Sequence, residues 1–221
     1  MAFFELDKVS YTYSGRAEPA VADITLSLAK GELAAITGLN GSGKSTLTRL
    51  MLGLLKPQSG RLSLEGKPIS SYSLAAVGEK IGYVLQNPNQ MLFNTSVFNE
   101  VAFGLRWKGI KDSELKERCY HYLDLFNLWS LRDQFPFNLS EGQKQMVAIS
   151  AVLALNPSCL ILDEPTKSID SYRKDILVEV LAAVNTLGTG VIVVSHDRPF
   201  VEALGGREIK MVRGKVVDDE A

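Results

Sequence analysis

The sequence predicts an α/β fold built on a parallel sheet, and three observations carry that expectation. Short apolar runs at Leu33-Ala-Ala-Ile-Thr37, Ile81-Gly-Tyr-Val-Leu85, Cys159-Leu-Ile-Leu162 and Val191-Ile-Val-Val194 show little polar alternation. Strands of this kind are buried on both faces, as in a parallel sheet sandwiched by helices. Segments of helical period lie between them, and a glycine-rich turn, Gly38 to Ser45, joins the first run directly to one of these segments.

Taken in order, residues 3 to 13 and 21 to 29 alternate in the strand manner. Phe3, Glu5 and Asp7 stand against Phe4 and Leu6; Ile24, Leu26 and Leu28 point inward, with Thr25 and Ser27 outward. Ser14-Gly15 and Lys30-Gly31-Glu32 are turns, so the chain opens as an antiparallel unit. After the strand at 33 to 37, Leu47, Leu50, Met51 and Leu54 repeat at helix spacing, closed by Gly53 and Lys56-Pro57. Leu115, Cys119, Tyr122, Leu123 and Phe126 form a second helical face, beside which the mixed run Lys111 to Arg118 is solvated. Val147 to Leu155 is apolar almost all round, and Ile176, Leu177, Val180, Leu181, Val184 and Leu187 form a fourth helix ended by Gly188. Trp107 and Trp129 read as packing residues. The organisation expected is one domain over 1–221, with a core at about 1–86 and 158–221 and a helical insertion at about 87–157.

Composition narrows the function classes. The chain has 221 residues, 46% hydrophobic and 22% charged, which excludes collagen-like and disordered readings. Its 24 basic and 25 acidic residues leave a net charge of -1, without the footprint of a dedicated nucleic-acid binder. Cys119 and Cys159 form no Cys-x-x-Cys pair, so neither a disulfide framework nor a zinc site is indicated and a reduced, cytosolic setting fits. No run reaches about 18 apolar residues and the first residues lack a leader pattern, so the expectation is a chain that neither spans a membrane nor is exported.

Gly38-Leu-Asn-Gly-Ser-Gly-Lys-Ser45 fits G-x-x-x-x-G-K-[ST] between a strand and a helix, the context that motif needs. Its glycines let backbone N–H groups face a polyphosphate, and the helix N-terminus adds its dipole. Gly38, Asn40, Gly41, Ser42, Gly43, Lys44, Ser45 and Thr46 are therefore candidate binding residues, Lys44 as a point charge between phosphates and Ser45 as a hydroxyl ligand for Mg²⁺. A buried strand ends in Asp163 and Glu164, at the edge where parallel sheets bind ligands. Asp163 can hold Mg²⁺ through water and Glu164 can act as general base; by themselves, two such acids are more often a helix cap. Leu139-Ser-Glu-Gly-Gln143 opens the third helix, with Ser140 placed as N-cap and the Gly142 N–H available to an anion.

These motifs, followed by Leu160-Ile-Leu-Asp-Glu-Pro-Thr166 and Ser195-His196-Asp197, resemble in identity and order the nucleotide-binding subunit of ATP-binding cassette (ABC) transporters over essentially the whole chain. The resemblance implies an ABC-type P-loop ATPase with a RecA-like core, an antiparallel β subdomain and a helical subdomain, using ATP and Mg²⁺. It implies that Tyr13 stacks on adenine, although Tyr11 is an equally aromatic neighbour. Gln86 would ligate Mg²⁺ and sense the membrane partner, and His196 would contact the γ-phosphate. Ser140, Gly142 and Gln143 would reach the nucleotide of a second subunit, and Ser168-Ile-Asp170 would cross to it. Lys44, Glu164 and His196 are thus the candidate catalytic residues, and Ser45, Gln86 and Asp163 the candidate metal ligands.

Gln86-Asn-Pro-Asn-Gln-Met-Leu-Phe93 with Val97-Phe-Asn-Glu-Val-Ala-Phe-Gly104 is similar to the segment found in ATPases of energy-coupling factor (ECF) vitamin transporters and of cobalt and nickel importers. That implies a peripheral subunit at the cytoplasmic face of the membrane, partnered by membrane subunits and a second ATPase subunit, with no nucleic acid. A soluble ABC ATPase of translation or DNA repair, and a regulatory module that binds ATP without hydrolysing it, are the rival readings. Departures from the family pattern are Glu141 for a usual glycine, Met146 for a usual arginine, and Lys167-Ser168-Ile169 for a small-residue run. A Glu near bound phosphate is electrostatically unfavourable unless it points to solvent. Only Val201 to Val217 follow for a terminal element, where many ECF ATPases carry a further region. Met91, Leu92 and Phe93 follow Pro88 as three adjacent apolar residues, suited either to anchoring the helical lobe or to receiving a helix of the membrane partner.

Overall fold

A computed structural model describes residues 2–220. Two sheets organise the chain. In the first, β1 (Ala2–Tyr11) pairs antiparallel with β2 (Val21–Ala29) and with β4 (Ser59–Leu64), and β5 (Lys67–Pro68) pairs with β4. The alternation expected in β2 is observed, with Ile24, Leu26 and Leu28 buried and Thr25 and Ser27 exposed. In β1 it fails: Phe3 and Phe4 are both buried, and register shifts fall between Ala2 and Phe4 and between Leu6 and Val9, where Lys8 has φ 50°. Each shift turns the following side chains to the other face, so a simple period of two does not describe this strand.

The second sheet runs β10 (Lys215–Glu220), β9 (Arg207–Val212), β3 (Leu33–Thr37), β8 (Gly190–Val194), β7 (Cys159–Asp163), β6 (Ile81–Val84). Neighbours from β9 to β6 are parallel, and β10 closes the edge antiparallel to β9. The central strands are buried on both faces, as their composition requires. Leu160, Leu162, Val191 and Val193 join one apolar cluster, while Cys159, Ile161, Ile192 and Val194 join another. The coverings differ from the expected pair of helical layers. One face carries the helices α5 (Glu141–Leu153), α6 (Ser171–Thr186) and α7 (Arg198–Leu204); the other carries α1 (Lys44–Met51) and the antiparallel sheet.

Between residues 87 and 157 lie α3 (Val97–Trp107), α4 (Asp112–Leu125) and α5, joined through Val101, Leu105, Leu115, Cys119, Leu123, Ile149 and their neighbours. Cys119 and Cys159 sit in different clusters, unpaired and buried. Two helices end before the last residue of their apolar pattern, α1 three residues before Leu54 and α6 one residue before Leu187. Gly53 at φ 69° stops α1 and leaves Leu54 exposed, and Leu187 beyond α6 is likewise exposed. Both unforeseen hairpins turn on a pair at positive φ, Glu65-Gly66 and Arg213-Gly214, where a usual Asn-Gly signal is missing. The short α2 (Leu74–Lys80) buries only Val77, too little to leave a period in the sequence.

Candidate functional site

The loops after β3, β8, β7 and β6 open side by side at the carboxyl edge of the parallel strands. In that spatial order they carry Gly38–Ser45, Ser195-His196, Asp163-Glu164 and Gln86. Topology thus assembles residues that are remote in the chain.

The loop from Gly38 to Gly43 has a backbone that only glycine allows at two points. Gly38 at φ 141° and Gly43 at φ 105° would each bring a Cβ to 2.3 Å from a carbonyl oxygen, of Met211 and Ala20 respectively. At Gly41 a Cβ would meet nothing within 4 Å, so there the loop faces open space. Gly43 is the N-cap of α1 and offers no capping side chain, which leaves the first N–H groups of that helix for an external acceptor. Lys44 is buried, its ammonium donating to the carbonyls of Gly38 at 2.7 Å and Leu39 at 3.2 Å. The Ser42 hydroxyl is buried without a hydrogen-bond partner among the described residues. Backbone donors, a fixed cation and a spare hydroxyl suit a polyphosphate.

Asp163 and Glu164 diverge as their adjacent positions require. Burial pushes the Asp163 carboxyl above its ordinary value and the nearby Glu164 charge adds to the rise; a hydrogen bond from the Tyr83 hydroxyl at 3.2 Å and the charges of Lys44 and Arg49 oppose it. A carboxylate costly to ionise next to a phosphate loop is suited to a cation, and Ser45, Gln86 and Asp163 offer the oxygen donors that Mg²⁺ prefers. Glu164 has φ 47°, an uncommon conformation costing about 1–3 kcal/mol for a non-glycine residue, held by its N–H bond to the Val194 carbonyl at 2.8 Å. Its buried carboxylate meets Nδ1 of His196 at 2.8 Å from both oxygens and accepts the His196 N–H at 3.4 Å.

Tyr13 and Tyr11 separate in role. Tyr11 packs on the core of the antiparallel sheet, whereas the Tyr13 hydroxyl lies 3.3 Å from Thr46 Oγ1 and accepts from Arg49 on α1. Gln86 is exposed directly beyond β6. Ser140 is the N-cap of α5, as expected, and forms a reciprocal capping box with Gln143. Gly142 packs under the loop to α6: a Cβ there would lie 3.3 Å from the Ser168 carbonyl, from Ile169 and from Arg173. The structure does not bring Ser140, Gly142 and Gln143 to the Gly38–Ser45 loop. A cavity of about 600 Å³ borders that loop, lined by Thr37 to Ser42, His196, Glu208 and Lys210 among others, and none of the three enters it.

Three sequence expectations are refined. Glu141 is exposed to solvent, as its charge requires, and there it bonds Lys144 and Asn89. Met146 is buried in the helical core. Met91, Leu92 and Phe93 are not equivalent: Leu92 is buried, Met91 packs on the core and accepts the Leu85 N–H through sulfur, and Phe93 is exposed against Phe103 at a ring separation of 4.9 Å. Tyr83 and Arg49 join the site through the folded chain, at Asp163 and Tyr13 respectively. A tyrosine beside Val84 in an otherwise apolar strand was the available signal for the first, and a basic residue on α1 is too common to mark the second.

Residues 21–167 match the family model described as ABC transporter. An ABC transporter ATP-binding protein of Clostridium acetobutylicum is 37% identical over 98% of this chain and 92% of its own length. One of Enterococcus faecalis is 36% identical over 97% of this chain, which spans only 38% of that relative. Among solved structures, cbiO1 of Clostridium perfringens, part of the ABC transporter complex cbiONQ, superimposes with TM-score 0.90 at 34% identity, covering 99% of this chain and 88% of its own. The ATP-binding cassette MJ0796, as a dimer bound to ADP and phosphate in a post-hydrolysis state, gives TM-score 0.88 at 28% identity, covering 98% and 97%.

Proposed function

The chain belongs to the ABC transporter family as an ATPase cassette, and from that premise we propose that it turns over MgATP to drive ECF-type uptake of a vitamin or a transition-metal ion. The observation that carries the hydrolytic part is the Glu164–His196 contact, at the strand edge that also carries the phosphate loop. Lys44, the amides from Gly38 to Gly43, including those of Asn40, Gly41 and Ser42, and the Thr46 hydroxyl hold the phosphates, with Tyr13 on the adenine. Ser45, Gln86 and Asp163 would hold Mg²⁺, which neutralises charge on the phosphate oxygens. Glu164 takes a proton from the attacking water, whose oxygen bonds the γ-phosphorus as the bond to the bridging oxygen breaks, and His196 keeps the Glu164 carboxylate in place beside the γ-phosphate.

Distance between the phosphate loop and the α5 N-terminus calls for a second chain. The Ser140 hydroxyl accepts the Gln143 backbone N–H and Gln143 Oε1 accepts that of Ser140, which leaves the N–H groups of Glu141 and Gly142 for the γ-phosphate of a nucleotide on that partner, a copy or a paralogue. The dimeric state of MJ0796 supports this. The Gln86 to Phe93 segment and the likeness to cbiO1 support the ECF reading and a peripheral place at the cytoplasmic face, partnered by membrane-embedded subunits. None of the described helices is long and apolar enough to cross a membrane. Phe93 ahead of α3, and Phe103 and Trp107 along one face of it, are exposed, so Trp107 does not pack in the core as its sequence context suggested, and together they offer those subunits an apolar ridge.

Sedimentation of the Glu164→Gln variant tests the composite site. Monomer without nucleotide and dimer with MgATP is the expected result; a species whose mass ignores nucleotide contradicts it.

A further inference from the structure

Glu141 occupies the one position of Leu139-Ser-Glu-Gly-Gln143 that departs from the family pattern, and each oxygen of its half-exposed carboxylate has a protein partner. Oε1 accepts from Lys144 Nζ at 2.8 Å, and Oε2 accepts from Asn89 Nδ2 at 2.9 Å. Asn89 belongs to the short turn Pro88–Gln90 just beyond Gln86, and that turn is itself stiffened: Asn87 Oδ1 accepts the Asn89 backbone N–H at 3.0 Å and its side-chain amide at 3.2 Å, while Pro88 is buried. On the other side Lys144 is only 9% exposed in its side chain and lies 5.6 Å from the centre of the Phe137 ring. A continuous polar path therefore runs from Asn87 through Asn89 and Glu141 to Lys144, joining the segment after Gln86 to the first turn of α5. Glycine at 141 would supply none of it.

We infer that Glu141 is a positioning residue that latches the Pro88–Gln90 turn to the N-terminus of α5, so that the segment facing the membrane partner and the turn Ser140–Gln143 shift together when nucleotide binds. The inference rests on the composite-site reading above. A residue that served only to neutralise the Lys144 ammonium would need no bond to Asn89, and the two roles separate experimentally, because Asn89→Ala cuts the latch and leaves the ion pair intact. Asn89→Asp does so more strongly by setting a second carboxylate against Glu141. Asn89→Asp with Glu141→Gln rebuilds a carboxylate–amide pair with donor and acceptor exchanged.

Hydrogen exchange on the full chain carrying Glu164→Gln, with and without MgATP, reads both ends of the path. In the parent, amides in 140–146 and in 87–94 are expected to slow with nucleotide. Asn89→Ala and Asn89→Asp should keep the response at 140–146 and lose it at 87–94, and the exchanged pair should regain it. An unaltered response at 87–94 in both single variants, or no response there in the parent while 140–146 responds, overturns the latch alone. Absence of any response at 140–146 in the parent overturns the composite site, and the latch with it.

Discussion

His196 Nδ1 sits 2.8 Å from each oxygen of the Glu164 carboxylate, and no other side chain among the described residues bonds that carboxylate. The side chain proposed as the base is buried and is contacted by one neighbour just beyond the adjacent strand. His196→Ala should therefore lower kcat while leaving ATP affinity nearly unchanged, since the lost contact orients the base and the phosphate loop is intact. Steady-state phosphate release paired with equilibrium nucleotide binding checks the split. Equal losses in affinity and turnover would place His196 in ground-state binding.

Lys44→Ala should act in the opposite sense. The ammonium lies within the loop, on the carbonyls of Gly38 and Leu39, and its removal takes away the loop's fixed positive charge. Titration with ATP should show weakened binding, in a variant whose melting temperature without nucleotide stays close to the parent's.

Asp163 gives a pH signature. Its folded-state pKa is raised, chiefly by burial, so its contribution to stability is present at low pH and is lost as pH rises through the folded value. Asp163→Asn should then raise the melting temperature of the nucleotide-free chain at neutral pH relative to the parent, and the gain should shrink in acid. The same variant should lose Mg²⁺-dependent turnover. A gain independent of pH would show that desolvation of the carboxylate is not the cause.

Leu92 and Phe93 should separate under mutation although they are adjacent. Leu92 is 5% exposed and Phe93 is 64% exposed. Leu92→Ala should cost about 2–5 kcal/mol and lower the melting temperature, as deletion of a buried leucine does. Phe93→Ser should leave melting and ATPase activity of the isolated chain alone and reduce uptake in the assembled transporter. Parallel loss of stability and activity in the Phe93 variant would mean that this ring is anchored in the lobe.

Much of this fold was legible in sequence because burial was unambiguous. Val191 to Val194 and Cys159 to Leu162 lie between two apolar clusters, and only uninterrupted apolar runs can do so. The Gly38–Ser45 loop was legible because its geometry demands glycine, at Gly38 and Gly43 above all. Elements whose stability comes from tertiary pairing left weaker traces. β4 with β5 and β9 with β10 turn at Glu65-Gly66 and Arg213-Gly214, and the first residue of each pair carries no turn preference of its own. The partners of Glu141 and Asp163 were not legible, because Asn89 and Tyr83 reach them only through the folded chain.

Glu164 is the proposed base of the ATP-hydrolysing site, and phosphate release by the purified chain and by Glu164→Gln under saturating MgATP tests that role most directly. A fall in turnover of about 10²–10⁴ with ATP binding retained is the expected result. Turnover that survives the substitution unchanged would contradict it.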